Sequence, residues 1–172
     1  MSGFRPVKTG DTDAFFRAFR TDARVEAETY SVAGFGDSPA MADEHLGLVL
    51  AGIKRATASL ARDYGGDRRP LPKAGDHAVL VDGRNKPRCV LRTTEAIVRP
   101  LSAVDDDFAW DEGEGTRSRA DWLTAHRASF QRQAEREGFA LADDEATVFE
   151  RFTVVWPRLF ADDWKGPRRS QQ

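Results

Sequence analysis

Two cations and two hydroxyls follow a glycine in the segment Leu50-Ala51-Gly52-Ile53-Lys54-Arg55-Ala56-Thr57-Ala58-Ser59-Leu60. A lysine held in a partly desolvated cleft has its charged form disfavoured and approaches the proton affinity required of a base. Lys54 is therefore the candidate to deprotonate Thr57. Threonine is a poor nucleophile unless an adjacent base activates it, and a carboxylate such as Glu112 would carry protons or orient a water. Each residue also has a plainer reading. Lys54 suits a helix C-terminus, Thr57 suits a strand, and Glu112 lies among Asp105, Asp106, Asp107, Asp111 and Glu114, a run that reads equally as a solvated acidic loop. Glu114 is the fallback carboxylate.

The remaining chemistry is narrowed by what is missing. The sequence has no Walker loop, dinucleotide fingerprint, Gly-x-Ser-x-Gly elbow, paired-histidine helix or cysteine metal cluster. His45, His77 and His126 lie in unrelated segments, and each reads as a surface or structural histidine. The acidic run could gather a divalent ion through oxygen ligands, but its spacing is irregular, so neither metal nor cofactor is expected.

These residues must be positioned by a chain of 172 residues that is 40% hydrophobic and 31% charged, a balance suited to one packed domain. The net charge of −2 offers no general attraction to nucleic acid or anionic membrane, so any phosphate must be held locally. Arg68-Arg69 with Lys73, and the tail Lys165 to Arg169, are the local basic clusters. A single cysteine, Cys89, no signal-type start and no apolar run of about 18 residues predict a cytoplasmic protein.

Asp11, Thr12 and Asp13 precede Phe15, Phe16, Phe19, Ala23 and Ala27, which predicts a first helix over about 12–30 with those apolar residues on one stripe. Ser38-Pro39 starts a second helix that turns Leu46, Val49 and Leu50 inward and ends at Gly52. A short strand over 56–60 leads into a polar, mobile loop through Gly65-Gly66 to Pro72. Strands over 77–81 and 88–98 form a hairpin around Asp82-Gly83 and Asn85 to Pro87. Ser118 and Asp121 open a helix reaching about Gly138, with Trp122, Ala125 and Phe130 facing the core. A closing strand over 147–156 is stopped by Pro157. Helices around mainly antiparallel strands make an α+β fold, without repeats or a second domain.

Within this pattern Gly52, Lys54 and Thr57 resemble the Gly-x-Lys-x-x-Thr motif of ASCH domains. Phe35-Gly36-Asp37-Ser38-Pro39, Arg92-Thr93-Thr94-Glu95, Glu112-Gly113-Glu114-Gly115 and Glu150-Arg151-Phe152 resemble the longer bacterial members, so that the likeness spans about Tyr30 to Pro157. The resemblance implies a small PUA-like β-barrel flanked by helices, a core over about 30–157, a flexible tail over 158–172, and a cleft for RNA or a modified nucleoside. It further implies that Lys54, Thr57 and Glu112 match the lysine, threonine and glutamate of short members resembling amidohydrolases of acylated cytidine. Many of those members carry arginine two residues after the threonine, where this chain has Ser59. Arg55, Arg92 or Arg151 would then have to hold a phosphate, Ser59 and Glu114 would join the substrate site, and Trp110 would stack on a base.

The leading expectation is accordingly a hydrolase of RNA, ribonuclease-like, with Lys54 stabilising charge and Glu112 moving a proton. An amidohydrolase of N4-acylated cytidine is the alternative enzyme. A non-catalytic RNA-binding module is the competing class, distinguished by steep weakening with salt, and an inert cleft with a protein partner is the third.

Overall fold

Helix signals in this chain became helices where a capping side chain and a buried face coincide. In the computed structural model, which describes residues 4–163, helix α1 spans Gly10–Ala23. The Thr9 hydroxyl accepts from the Thr12 N–H and the Thr12 hydroxyl accepts from the Thr9 N–H, closing the first turn. Phe16 and Phe19 are its buried apolar residues. The helix stops well before residue 30, because Arg24 adopts left-handed backbone (φ 54°) and returns its N–H to the Arg20 carbonyl. Ala23 is consequently exposed, and Ala27 reaches the core from the segment beyond the helix.

Helix α2, Pro39–Leu50, begins as its sequence requires: the Ser38 hydroxyl accepts the Met41 N–H at 3.2 Å and Pro39 occupies the first helical position. Leu46 and Val49 are buried and Leu50 half-buried. Gly52, at φ 81°, turns the chain. Strand β1 (Ser31–Ala33), which the sequence pattern did not announce, runs parallel to β3 (His77–Val81). Strand β2 (Ala56–Leu60) is antiparallel to β5 (Ala146–Trp156), and β3 is antiparallel to β4 (Pro87–Pro100). The β3–β4 turn is held by the Asp82 carboxylate, which accepts the N–H groups of Arg84 and Lys86 at 2.9 and 3.0 Å. Strand order is β1-β3-β4-β5-β2.

The acidic run expected as a loop is a helix, α3 (Asp106–Glu112), whose N-cap Asp105 accepts the Phe108 N–H at 2.7 Å. Helix α4 (Arg119–Glu137) starts at Ser118, whose hydroxyl accepts the Asp121 N–H, and ends at left-handed Gly138. It buries Trp122, His126, Phe130 and Ala134, a stripe advancing in steps of four that leaves Ala125 exposed rather than inward.

Two compact units are woven from interleaved segments. One contains the chain up to Gly52, His77–Arg92 and the chain from Thr153 onward; the other contains Ile53–Asp76 and Thr93–Phe152. The first unit packs Phe16, Phe19, Val79, Val81 and Val90 together. The second packs Ala56, Leu60, Leu101, Val104, Phe108, Trp122, Phe130 and Phe149, each large side chain contributing about 1.5–3 kcal/mol on burial. No helix among the described residues is long and apolar enough to cross a membrane. The basic cluster at Lys165–Arg169 lies outside the described residues, as does most of the tail expected to be flexible.

Candidate functional site

The second unit brings the chain on either side of Gly113 against the chain entering β2. Gly113 ends α3 in left-handed backbone (φ 73°), and a side chain there would start 2.7 Å from the Ile53 carbonyl oxygen. The Arg55 N–H donates to the Asp111 carbonyl at 2.7 Å, fixing the same junction from the other side. Lys54, between these two contacts, is thereby turned into the protein.

Its side chain is fully buried. Nζ donates to Glu114 Oε1 at 2.7 Å and lies 3.6 Å from Glu112 Oε1. Glu112 is also buried, and both its oxygens are committed: Oε1 accepts the Ala58 N–H at 3.2 Å and faces His126 Nε2 at 3.2 Å, while Oε2 accepts the indole N–H of Trp122. Glu114 keeps 24% of its side chain exposed. It is therefore the carboxylate of the pair that opens to solvent.

His126 completes the cluster. Its Nδ1 lies 3.0 Å from the Trp122 carbonyl, which can only accept, so Nδ1 carries a proton. Nε2 faces a carboxylate and carries one too, which makes the ring an imidazolium stacked on Trp122 with centroids 3.8 Å apart. Burial alone would lower the pKa of this histidine, but the charge and hydrogen bond of Glu112 more than reverse it, and the net shift is upward. Burial would likewise raise Glu112, yet Lys54 and His126 hold it below the usual carboxylate range. Two cations, Lys54 and His126, thus balance two anions, Glu112 and Glu114. That balance is what permits Lys54, Glu112 and His126 to be buried side by side.

The ligating atoms of Glu112, Glu114 and His126 lie within 4.8 Å of one another, a spacing a divalent ion could bridge. The Lys54 ammonium contacts both carboxylates of that set, so the chain supplies a cation there itself.

Thr57 is half-buried on β2. Ala56, Ala58 and Leu60 pack into the Trp122 core, so alternation turns Thr57 and Ser59 to the opposite face. The Thr57 hydroxyl makes no hydrogen bond among the described residues, whereas Ser59 Oγ shares one with Tyr64 Oη at 2.7 Å. Arg55 donates from Nη1 to the Lys54 carbonyl at 2.7 Å. Arg151 bridges Asp111 and Glu95 at 3.0 and 2.9 Å, and its guanidinium lies 5.2 Å from the Phe108 ring centroid. Arg92 is exposed on β4. Trp110 is 58% exposed, with the Arg117 guanidinium 3.8 Å over its ring and Arg117 Nε donating to its carbonyl at 2.8 Å.

The structure therefore gathers Lys54, Glu112 and Glu114, sets Thr57 and Ser59 on another face of the same strand, and leaves Arg92 and Trp110 at the surface. Sequence reasoning placed Trp122 in the core and read His126 as a surface or structural histidine, but missed that both meet Glu112. Their signal was the aromatic spacing Trp122, His126, Phe130, which places the histidine on a buried helix face.

Comparison with known proteins gives the same architecture. A family model described as the ASCH domain matches residues 31–156. A crystal structure of an ASCH domain from Lactobacillus crispatus JV V101 is similar at 27% identity and a TM-score of 0.79, covering 90% of this chain and 99% of that one. A crystal structure of a protein from Enterococcus faecalis V583 is similar at 28% identity and a TM-score of 0.76, covering 84% of this chain and 88% of that one. No curated protein matches. The expected α+β arrangement of helices with a mainly antiparallel sheet is the fold of these solved structures.

Proposed function

The chain belongs to the ASCH domain family, a PUA-like group that generally binds RNA, and from that premise we propose that it is a hydrolase acting on RNA or on a nucleoside derived from it, with Lys54 and Glu114 as the reacting pair. The observation that carries this reading is a fully buried amine donating at 2.7 Å to a carboxylate that remains open to solvent. Glu114 rather than Glu112 suits proton transfer, because every oxygen of Glu112 already has donors. Glu112 is the positioning residue that holds Lys54, His126 and the edge of β2 in register.

In the reaction we infer, Glu114 removes a proton from a water. Attack on the substrate carbonyl carbon develops negative charge on oxygen, and the Lys54 ammonium stabilises it. Glu114 then returns the proton to the leaving amine as the carbon–nitrogen bond breaks. The sequence favoured ribonuclease chemistry. The charge balance instead supports an uncharged substrate such as N4-acylated cytidine, because Lys54 and His126 are already matched by Glu112 and Glu114. Arg55 and Arg151 are engaged elsewhere, and Ser59 brings no charge.

The test is to incubate the purified protein and its Lys54→Ala form with N4-acetylcytidine and with single-stranded RNA, following product by chromatography. Hydrolysis of the acylated nucleoside that falls at least about 100-fold in Lys54→Ala supports the reading. Equal turnover by both forms removes Lys54 from the chemistry, and cleavage of RNA alone restores the ribonuclease.

A further inference from the structure

On the face of β2 and β5 turned away from the Trp122 core lies a second polar group that the Lys54 cluster does not use. Cross-strand register sets Thr57 opposite Glu150, and alternation puts both on the face opposite Ala58 and Phe149. Glu150 Oε1 accepts the Thr93 hydroxyl at 2.7 Å, the hydrogen bond it makes among the described residues. Thr93 is itself fixed by the next loop, its N–H donating to the Asp76 carbonyl and its carbonyl accepting the Gly75 N–H, each at 2.9 Å. Glu150 is half-buried and Thr93 buried. Burial pushes the Glu150 carboxyl up, against the Thr93 hydrogen bond and the charge of Arg69. Its second oxygen and the Thr57 hydroxyl are thus two polar groups on one face that a ligand would satisfy.

The chemistry of that ligand is narrow. An apolar group would leave the second carboxylate oxygen without a donor, at a cost, and a phosphate would meet like charge. Neighbouring hydroxyls donate well to one carboxylate, which is how acidic residues hold ribose in other folds. Resting on the hydrolase reading above, and because β2 is the edge strand of the sheet and a ligand can pass around it, we propose that Glu150, oriented by Thr93, binds the ribose hydroxyls of the substrate beside Thr57 and makes the protein selective for ribose over deoxyribose. A free nucleoside and a strand present the same sugar chemistry.

Calorimetric titration of the full chain tests this with cytidine, 2′-deoxycytidine and 2′-O-methylcytidine, and with short oligocytidylate and oligodeoxycytidylate. We expect the ribose form to bind about 10- to 100-fold more tightly than the deoxy and O-methyl forms, the loss typical of a hydrogen bond to a charged group. Glu150→Gln should collapse that preference by weakening the ribose form more than the deoxy form. Preference in either the nucleoside or the strand arm supports the proposal and names the source of the ribose. Equal binding of ribose and deoxyribose forms overturns it and leaves the hydrolase reading standing, as does full preference retained in Glu150→Gln. Failure of every ligand to bind overturns both. Should Glu150→Gln not fold, the ratios measured on the unaltered protein decide the matter.

Discussion

Replacing Glu112 by glutamine removes one negative charge from a buried cluster while keeping the shape of the side chain. Glu112 accepts from the Ala58 N–H, from Trp122 and from His126, and lies 3.6 Å from the Lys54 amine. Glutamine offers one acceptor oxygen, and its amide turns donors toward donors. His126 loses its nearest carboxylate, and Lys54 loses one of the two carboxylates beside it. Breaking a buried charge pair costs about 3–5 kcal/mol, a large share of the roughly 5–15 kcal/mol that holds such a domain together. For a chain of this length each kcal/mol moves the midpoint about 2–4 °C, so Tm should fall by about 6–20 °C. The same cost should appear in urea unfolding as a lower midpoint with unchanged slope. The pH dependence sharpens the test. Glu112 is depressed, so its contribution is present above the ordinary carboxylate value of 4.5 and is lost as pH falls through its folded value. His126 is raised, so its contribution is present below its ordinary value of 6.5 and is lost as pH rises through its folded value. The gap between the unaltered protein and Glu112→Gln should therefore be widest between those two values. A loss under about 1 kcal/mol that does not vary with pH would refute the claim that the cluster is a compensated buried charge group.

The histidine can be watched directly. Its ring resonances should titrate with a midpoint above the ordinary 6.5 in the unaltered protein and move down in Glu112→Gln, which proton NMR resolves. Gly113→Ala places a methyl group 2.7 Å from the Ile53 carbonyl oxygen at φ 73°, so it should destabilise by about 1–3 kcal/mol and lower turnover more than stability by shifting Glu114 away from Lys54. Trp110 is exposed, so Trp110→Ala should change stability by no more than about 0.5 kcal/mol, yet weaken binding of a base-bearing ligand about 5- to 100-fold if the ring is a stacking surface.

Much of the scaffold was legible because its signals are local. Ser38-Pro39 and Ser118 are caps whose hydroxyls reach N–H groups three residues on, and Gly52 and Gly138 adopt the left-handed backbone that ends a helix. The strand over 56–60 and the hairpin around Asp82 followed from β-branched runs and turn residues. The first helix was overextended because Arg24 ends it in a conformation that glycine usually signals. Helix α3 was hidden by its own acidity: three aspartates look solvated, although Asp105 caps and the other two sit in the first turn. The three-residue β1 is too short to carry a period. At the site, Lys54 and the two glutamates could be nominated from residue types, but the division of labour between Glu112 and Glu114 could not. It depends on which carboxylate meets Trp122 and His126 from α4, a contact between segments ten and fourteen residues apart.

The proposed chemistry rests on Glu114 moving a proton while Lys54 holds charge, and the rate of acetate release from N4-acetylcytidine by Glu114→Gln measures this most directly. We expect a protein that still folds, with a lowered unfolding temperature because the buried Lys54 loses one of its carboxylates, and that hydrolyses at least about 100-fold more slowly. A folded Glu114→Gln protein that releases acetate at the original rate would contradict it.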